Sequence, residues 1–84
     1  MLPDDVQLAE GYRSIADIAE NVIENSADAQ DCTAEELSIV PITAIDEVEM
    51  SNAIANSDTV SQESWDMMRE YISSEVASRG YKVN

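Results

Sequence analysis

The sequence has no histidine and one cysteine, so two of the side chains most used in catalysis and metal binding are nearly missing. Zinc sites need several Cys and His ligands, which Cys32 alone does not supply. There is also no imidazole to act as the base for a cysteine or serine nucleophile. A lone cysteine forms no internal disulfide, so the chain does not require an oxidising compartment. We therefore expect a protein that is not an enzyme, with no catalytic residue, no metal and no cofactor.

Cations are scarce as well. Four lysine and arginine residues stand against 18 aspartate and glutamate residues, which gives a formal net charge of −14. Phosphates repel such a chain, which argues against direct binding to nucleic acid or to an anionic membrane. No apolar run reaches the length of a membrane span, and the first residues lack the regions of a signal peptide. The expected location is the cytoplasm, which is the host cell's cytoplasm if the protein is viral.

Glycine and proline are rare, with two of each, whereas hydrophobic residues make up 44% of the 84 residues. An intrinsically disordered chain combines high net charge with low hydrophobicity, and only the first of these holds here. The length fits one domain, a single acidic helical domain over residues 1–84. Because self-repulsion opposes the compact state, a folded chain with this charge indicates a cationic partner.

Helical spacing of the apolar residues predicts an all-α fold, a small bundle of three to four helices. The predicted helices cover about residues 4–26, 34–39, 44–56 and 61–79. In the first helix, Gly11 lies within the apolar band, and residues 25–31 lose the period and are interpreted as a linker. In the last helix, Thr59 or Ser61 is the expected N-cap and Gly80 the expected left-handed C-cap.

The segment between the first and third predicted helices carries a conflicting signal. Thr33 and Glu36 form a capping box, which predicts the short second helix, and Pro41 ends that helix. Residues 37–42 are alternatively a short strand, although Pro41 disfavours a place in the centre of a sheet.

The third predicted helix has apolar residues on two sides. Ile45 and Val48 are interpreted as facing inward. The apolar residues that fall outside the predicted core form a second apolar face: Met50, Ile54, Met67 and Tyr71. A small monomer has difficulty covering such a face, so it is able to contact another chain.

Acidic residues recur at i, i+3 and i+7 on the outer sides of the first and last helices. The first row is Asp17, Glu20 and Glu24, and the second row is Glu63, Asp66 and Glu70. Carboxylates one turn apart recur about every 5 Å along a helix. A duplex presents its phosphates at a comparable pitch, about 3.4 Å of rise per strand. A groove lined with Lys and Arg that holds phosphates would therefore accept such rows.

The predicted partner-binding residues are these six acids together with two apolar neighbours, Met67 and Tyr71. The second row is the favoured one, because Met67 and Tyr71 flank it and can anchor contacts that charge alone does not fix. The predicted partner is a basic nucleic-acid-binding protein or complex.

In size, net charge and the two acidic rows, the chain resembles the small acidic DNA-mimic inhibitors of phages. These include anti-restriction proteins, anti-CRISPR proteins and inhibitors of uracil-DNA glycosylase. The resemblance covers the whole chain and involves no shared motif. It implies a stoichiometric inhibitor that blocks the nucleic-acid-binding groove of a host defence or DNA-processing protein.

Two alternatives stay open at this point. The acidity is also typical of proteins from a saline habitat, in which case the rows are ordinary solvated surface. The second apolar face favours a different function, a small helical adaptor or virion assembly protein that binds through this face as a homodimer. Salt separates the adaptor from the mimic, because binding through apolar contacts persists at high ionic strength.

Overall fold

The computed structural model of the chain describes residues 2–84, except for the side chains of residues 47 and 48. The chain is 56% helical, with a small two-stranded sheet. Its elements, in chain order, are α1 (Ile15–Ala29), β1 (Ile39–Val40), a π-helix (Ala44–Met50), α2 (Ser51–Ala53), a 3₁₀ turn (Ser57–Thr59), α3 (Gln62–Ser78) and β2 (Lys82–Val83). The expected all-α class is thus correct only as a mostly helical fold. Within residues 2–84, no helix has the length and apolar character needed to cross a membrane.

The first helix begins eleven residues later than the sequence pattern predicts, at Ile15 instead of residue 4, so the expected helix over 4–26 is wrong in its first part. Its N-cap is Ser14. Asp17, in the first turn, accepts a hydrogen bond of 2.8 Å from the backbone N–H of Arg13, the residue before the N-cap. At the other end the helix continues to Ala29, through most of the segment interpreted as a linker.

The segment before α1 is not helical, because the backbone of residues 7–9 bonds to a distant part of the chain. Leu8 forms an isolated antiparallel bridge with Ile54. The N–H of Ala9 donates to the carbonyl of Ala53 at 2.6 Å, and the N–H of Ala55 donates to the carbonyl of Gln7 at 2.8 Å. These partners replace the bonds that a helix would have formed.

Gly11 then turns the chain into α1. Its φ of +98° lies in the left-handed region, which a residue inside an α-helix does not adopt. The glycine expected within the apolar band of the first helix is therefore a turn residue.

The predicted helix over 34–39 is also wrong, and the alternative of a short strand within 37–42 is confirmed. The capping box does form, since Glu36 accepts hydrogen bonds from the N–H and the hydroxyl of Thr33 at 3.0 and 3.1 Å. It closes a single turn, after which Ile39–Val40 pairs in parallel with Lys82–Val83. The pairing continues past Pro41, since the N–H of Ile42 donates to the carbonyl of Asn84 at 2.9 Å, so the N–H that the proline lacks does not interrupt it.

The third predicted helix, over 44–56, is present but differs in type. Residues Ala44–Met50 form a π-helix and Ser51–Ala53 one α-helical turn, and Ile54 is extended. Ile45 is fully buried, as expected, whereas Val48 lies outside the described side chains. Met50 and Ile54 are buried too, at 0% and 3% exposure, so their assignment to a second apolar face is wrong. The wider π-helical turn and the bridge to Leu8 place both residues inside.

The last helix matches its prediction closely. Ser61 is the N-cap, and its hydroxyl accepts a bond of 3.1 Å from the N–H of Ser64. Gly80 follows the helix with a φ of +96°. The core lies between α1, α3 and the π-helix, and its largest fully buried side chains are Ile18, Ile45, Met50, Met68, Ile72, Val22, Val40 and Val76.

Candidate partner-binding surface

The first acidic row lies on the side of α1 that faces away from the core. Glu20 and Glu24 are exposed and Asp17 is half-buried, while Ile18 and Ile23, which adjoin Asp17 and Glu24 in sequence, are buried. At about 100° per residue, Asp17 and Glu24 point about 150–170° from the centre of the buried face, and Glu20 about 110° from it. Among the described residues, Glu20 and Glu24 enter no ion pair within 4.0 Å. This row therefore presents its charge to solvent.

The second acidic row also points outward, but a cation partly neutralises its centre. Glu63 and Glu70 are exposed, and the Asp66 side chain is 55% exposed. Arg69 contacts Asp66 at 3.3 Å and Asp46 of the π-helix at 2.8 Å. Its hydrogen bond to Asp46 and the charge of that carboxylate raise the pKa of Arg69. The row favoured by the sequence is thus the one with the weaker field at its middle.

Met67 and Tyr71 lie beside the second row, as predicted, but neither is fully available to a partner. Both are half-buried, and Tyr71 packs against the hydrophobic core. Tyr71 shares a shallow surface cleft with Glu70 and Arg69. Part of Tyr71 is therefore open to an incoming side chain, and the rest packs against the core.

A series of clefts borders the first row. One is lined by Asp17 and Glu20, a second by Glu20 and Glu24, and a third by Glu24 and Asp28. Each acid of the row therefore borders a shallow, open cleft, as Glu70 of the second row also does. Basic side chains of a partner can approach the acids of the first row from these clefts.

The middle cleft contains two residues that sequence reasoning did not connect with α1. Arg79 and Tyr81 follow α3, yet they line this cleft with Glu20 and Glu24. One guanidinium nitrogen of Arg79 donates to the carbonyl of Ala16 at 3.3 Å. Because this contact joins the end of α3 to the first turn of α1, no local pattern in the sequence could have indicated it.

The sequence pattern also did not predict a buried polar cluster around Glu49. Glu49 is only 3% exposed, and its carboxylate accepts hydrogen bonds from the hydroxyl of Tyr12, at 3.1 Å, and from the side-chain amide of Asn25. Burial, together with the negative charge of Glu49, raises the pKa of Tyr12. The sequence did indicate that Glu49 is buried. It lies four residues after Ile45, so on a helix the two side chains share the inward face. This cluster joins the segment before α1, α1 itself and the π-helix, so we assign it to the fold.

Comparison of the chain with protein-family models, with curated proteins and with solved structures gave no match. Within the described residues, no three His, Cys, Asp or Glu side chains are grouped so that they could hold a metal ion.

Proposed function

We propose that the chain is a stoichiometric inhibitor that occupies the basic nucleic-acid-binding groove of another protein. The target would be a host defence or DNA-processing protein, as for inhibitors of the anti-CRISPR or anti-restriction type. One observation carries the proposal: Glu20 and Glu24 stand exposed on the outer side of a well-packed helix, and the described cations do not pair with them.

The spacing of the charges supports mimicry of a phosphate backbone. Neighbouring acids of each row are three or four residues apart, which is about 4.5–6 Å along the helix axis. Lysine and arginine side chains in a groove are long and mobile enough to follow such a spacing. Because the field of a net charge of −14 extends over a Debye length, it would also steer the protein towards a basic groove.

The first row contributes more to the proposed contact than the second. Asp17, Glu20 and Glu24 border three clefts, whereas Asp66 is already paired with Arg69. This reverses the order of preference that the sequence suggested. The second row would extend the acidic surface and add to the long-range field.

The structure weakens the grounds for the adaptor alternative. Its second apolar face needed Met50 and Ile54 at the surface, and both are buried. Met67 and Tyr71, half-buried on α3, are too few to form an apolar interface of the usual size. We therefore propose no second function.

The proposal is tested by immobilising the protein, exposing it to a lysate of candidate host cells, and identifying the retained proteins by mass. The expected partner is a nucleic-acid-binding protein that excess duplex DNA or guide RNA displaces and that moderate salt releases. A partner that stays bound in excess nucleic acid and in high salt would contradict the proposal. The Glu20→Lys/Glu24→Lys variant, immobilised in parallel, should retain much less of the same partner.

A further inference from the structure

The cleft between α1 and the chain after α3 has a lining that differs from an ordinary acidic surface. It is lined by the exposed Glu20 and Glu24, the buried Ile23, and the half-buried Ala34 and Tyr81. Its volume is about 400 Å³. The two carboxylates would attract any cation, but the apolar side chains and the tyrosine ring favour a ligand that is itself partly apolar.

Two contacts hold Tyr81 in place. Its hydroxyl donates a hydrogen bond of 2.8 Å to the carbonyl of Ala34, which also lines the cleft. Its backbone precedes β2, which pairs with β1. The ring is thus fixed at both ends before any partner arrives, so little conformational entropy is lost when a group packs against it.

Arg79 also lines the cleft, but contacts outside it engage its guanidinium. The Nε donates to Glu75 at 3.3 Å, and a terminal nitrogen donates to the carbonyl of Ala16 at 3.3 Å. The charge of Arg79 is therefore partly neutralised by Glu75. Glu20 and Glu24 lie beyond ion-pair distance of it and stay available to a cation from outside.

We infer that this cleft receives a single arginine side chain of the partner protein. An arginine has an apolar stem that suits Ile23 and Ala34, and a planar cation that can stack on the Tyr81 ring while it bonds to carboxylates. Lysine offers a compact, strongly hydrated charge and packs less well against the tyrosine ring. The identity of the partner rests on the proposed function, whereas the cleft itself can be tested without the partner.

The test is a titration of the isotope-labelled full chain with N-acetyl-arginine methylamide, followed by NMR. The expected result is a saturable shift of amide signals around Ile23, Ala34 and Tyr81. The lysine derivative should bind more weakly, and the citrulline derivative, which has the same shape without the charge, should cause no such shift. Shifts spread evenly over all exposed acids, or equal shifts with citrulline, would overturn the inference.

Three variants separate binding in the cleft from a general effect of negative charge. Glu24→Gln should weaken arginine binding about two- to fivefold, as expected for loss of one exposed ion pair. Asp58→Asn removes the same charge from an exposed position outside both acidic rows and should leave the affinity unchanged, so an equal loss in both variants would contradict a defined site. Tyr81→Leu keeps an apolar side chain and should abolish the preference for arginine over lysine, with folding checked by its melting curve.

These experiments also test separately whether the cleft binds arginine and whether the protein mimics nucleic acid. Arginine binding in the cleft, combined with a partner that nucleic acid never displaces, would sustain the cleft and overturn the proposed function. Displacement by nucleic acid without arginine binding would do the reverse.

Discussion

The hydroxyl of Tyr12 donates a hydrogen bond of 3.1 Å to the carboxylate of Glu49, across 37 residues of sequence. The bond joins the segment before α1 to the π-helix, and Asn25 of α1 donates to the same carboxylate. A buried acid in a chain of net charge −14 is costly, so both of its oxygens are occupied by neutral donors.

Replacing Glu49 by alanine should destabilise the fold strongly. The change leaves the Tyr12 hydroxyl and the Asn25 amide without their acceptor and opens a small cavity. We expect the free energy of unfolding to fall by about 2–4 kcal/mol. Urea unfolding of Glu49→Ala measures this, with Glu24→Ala as the matched control on an exposed site, where the change should stay within about 0.5 kcal/mol. Equal effects at the two positions would contradict the role of the cluster.

The contribution of Asp5 to stability should depend on pH. Hydrogen bonds from the backbone N–H of Ser61 and the hydroxyl of Ser64 lower the pKa of Asp5 below its ordinary value of 3.8. A carboxyl with a lowered pKa in the folded state stabilises the fold above pH 3.8, and this contribution is lost as the pH falls through the folded pKa.

The difference in stability between the wild type and Asp5→Asn, measured by urea unfolding from pH 6 to pH 2, tests this. We expect it to be constant above about pH 5 and to shrink below pH 3.8. A difference that does not change with pH would show that the Asp5 charge is not what holds Ser61 and Ser64.

The sequence predicted α3 well because every signal for it is local. Ser61 caps its first turn, Gly80 ends it, and Met68, Ile72 and Val76 follow at helical spacing. The outward direction of both acidic rows follows from the same periodicity, so it could also be predicted.

The N-terminal segment could not be predicted in the same way. Its apolar residues have helical spacing, but the backbone bonds of Gln7 and Ala9 to α2 and its neighbour are long-range contacts that outweigh local propensity. The π-helix is similar, since no residue pattern indicates where an α-helix widens. The pairing of Arg69 with Asp46, and the position of Tyr81 beside Glu24, likewise depend on how the elements pack.

Neutralising the first row should stabilise the protein while weakening its proposed function. Glu20 and Glu24 are like charges at i, i+4, which repel each other, and the whole chain is acidic. We expect Glu20→Gln/Glu24→Gln to raise Tm by about 1–4 °C at low ionic strength. The gain should vanish in about 1 M salt, where the Debye length is only about 3 Å. An unchanged or lower Tm in dilute buffer would show that repulsion between these carboxylates does not destabilise the fold.

Reversing charges in the first row should slow association with the partner more than reversals elsewhere. Glu20→Lys/Glu24→Lys and Glu35→Lys/Asp58→Lys change the net charge equally, and all four positions are exposed. At low salt we expect the first variant to associate at least about tenfold more slowly than the wild type, and the second to be much less affected. Stopped-flow or surface-binding kinetics measure the rates. Equal slowing by both variants would mean that net charge, not the row, directs binding.

The central claim is that this protein and nucleic acid occupy the same groove. The most direct measurement is the concentration of protein that halves the binding of labelled DNA or guide RNA by the purified partner, taken at several concentrations of nucleic acid. Mutual exclusion predicts that this concentration rises in proportion to the nucleic acid present. A constant value, or a complex containing the partner, the nucleic acid and this protein together, would contradict the account.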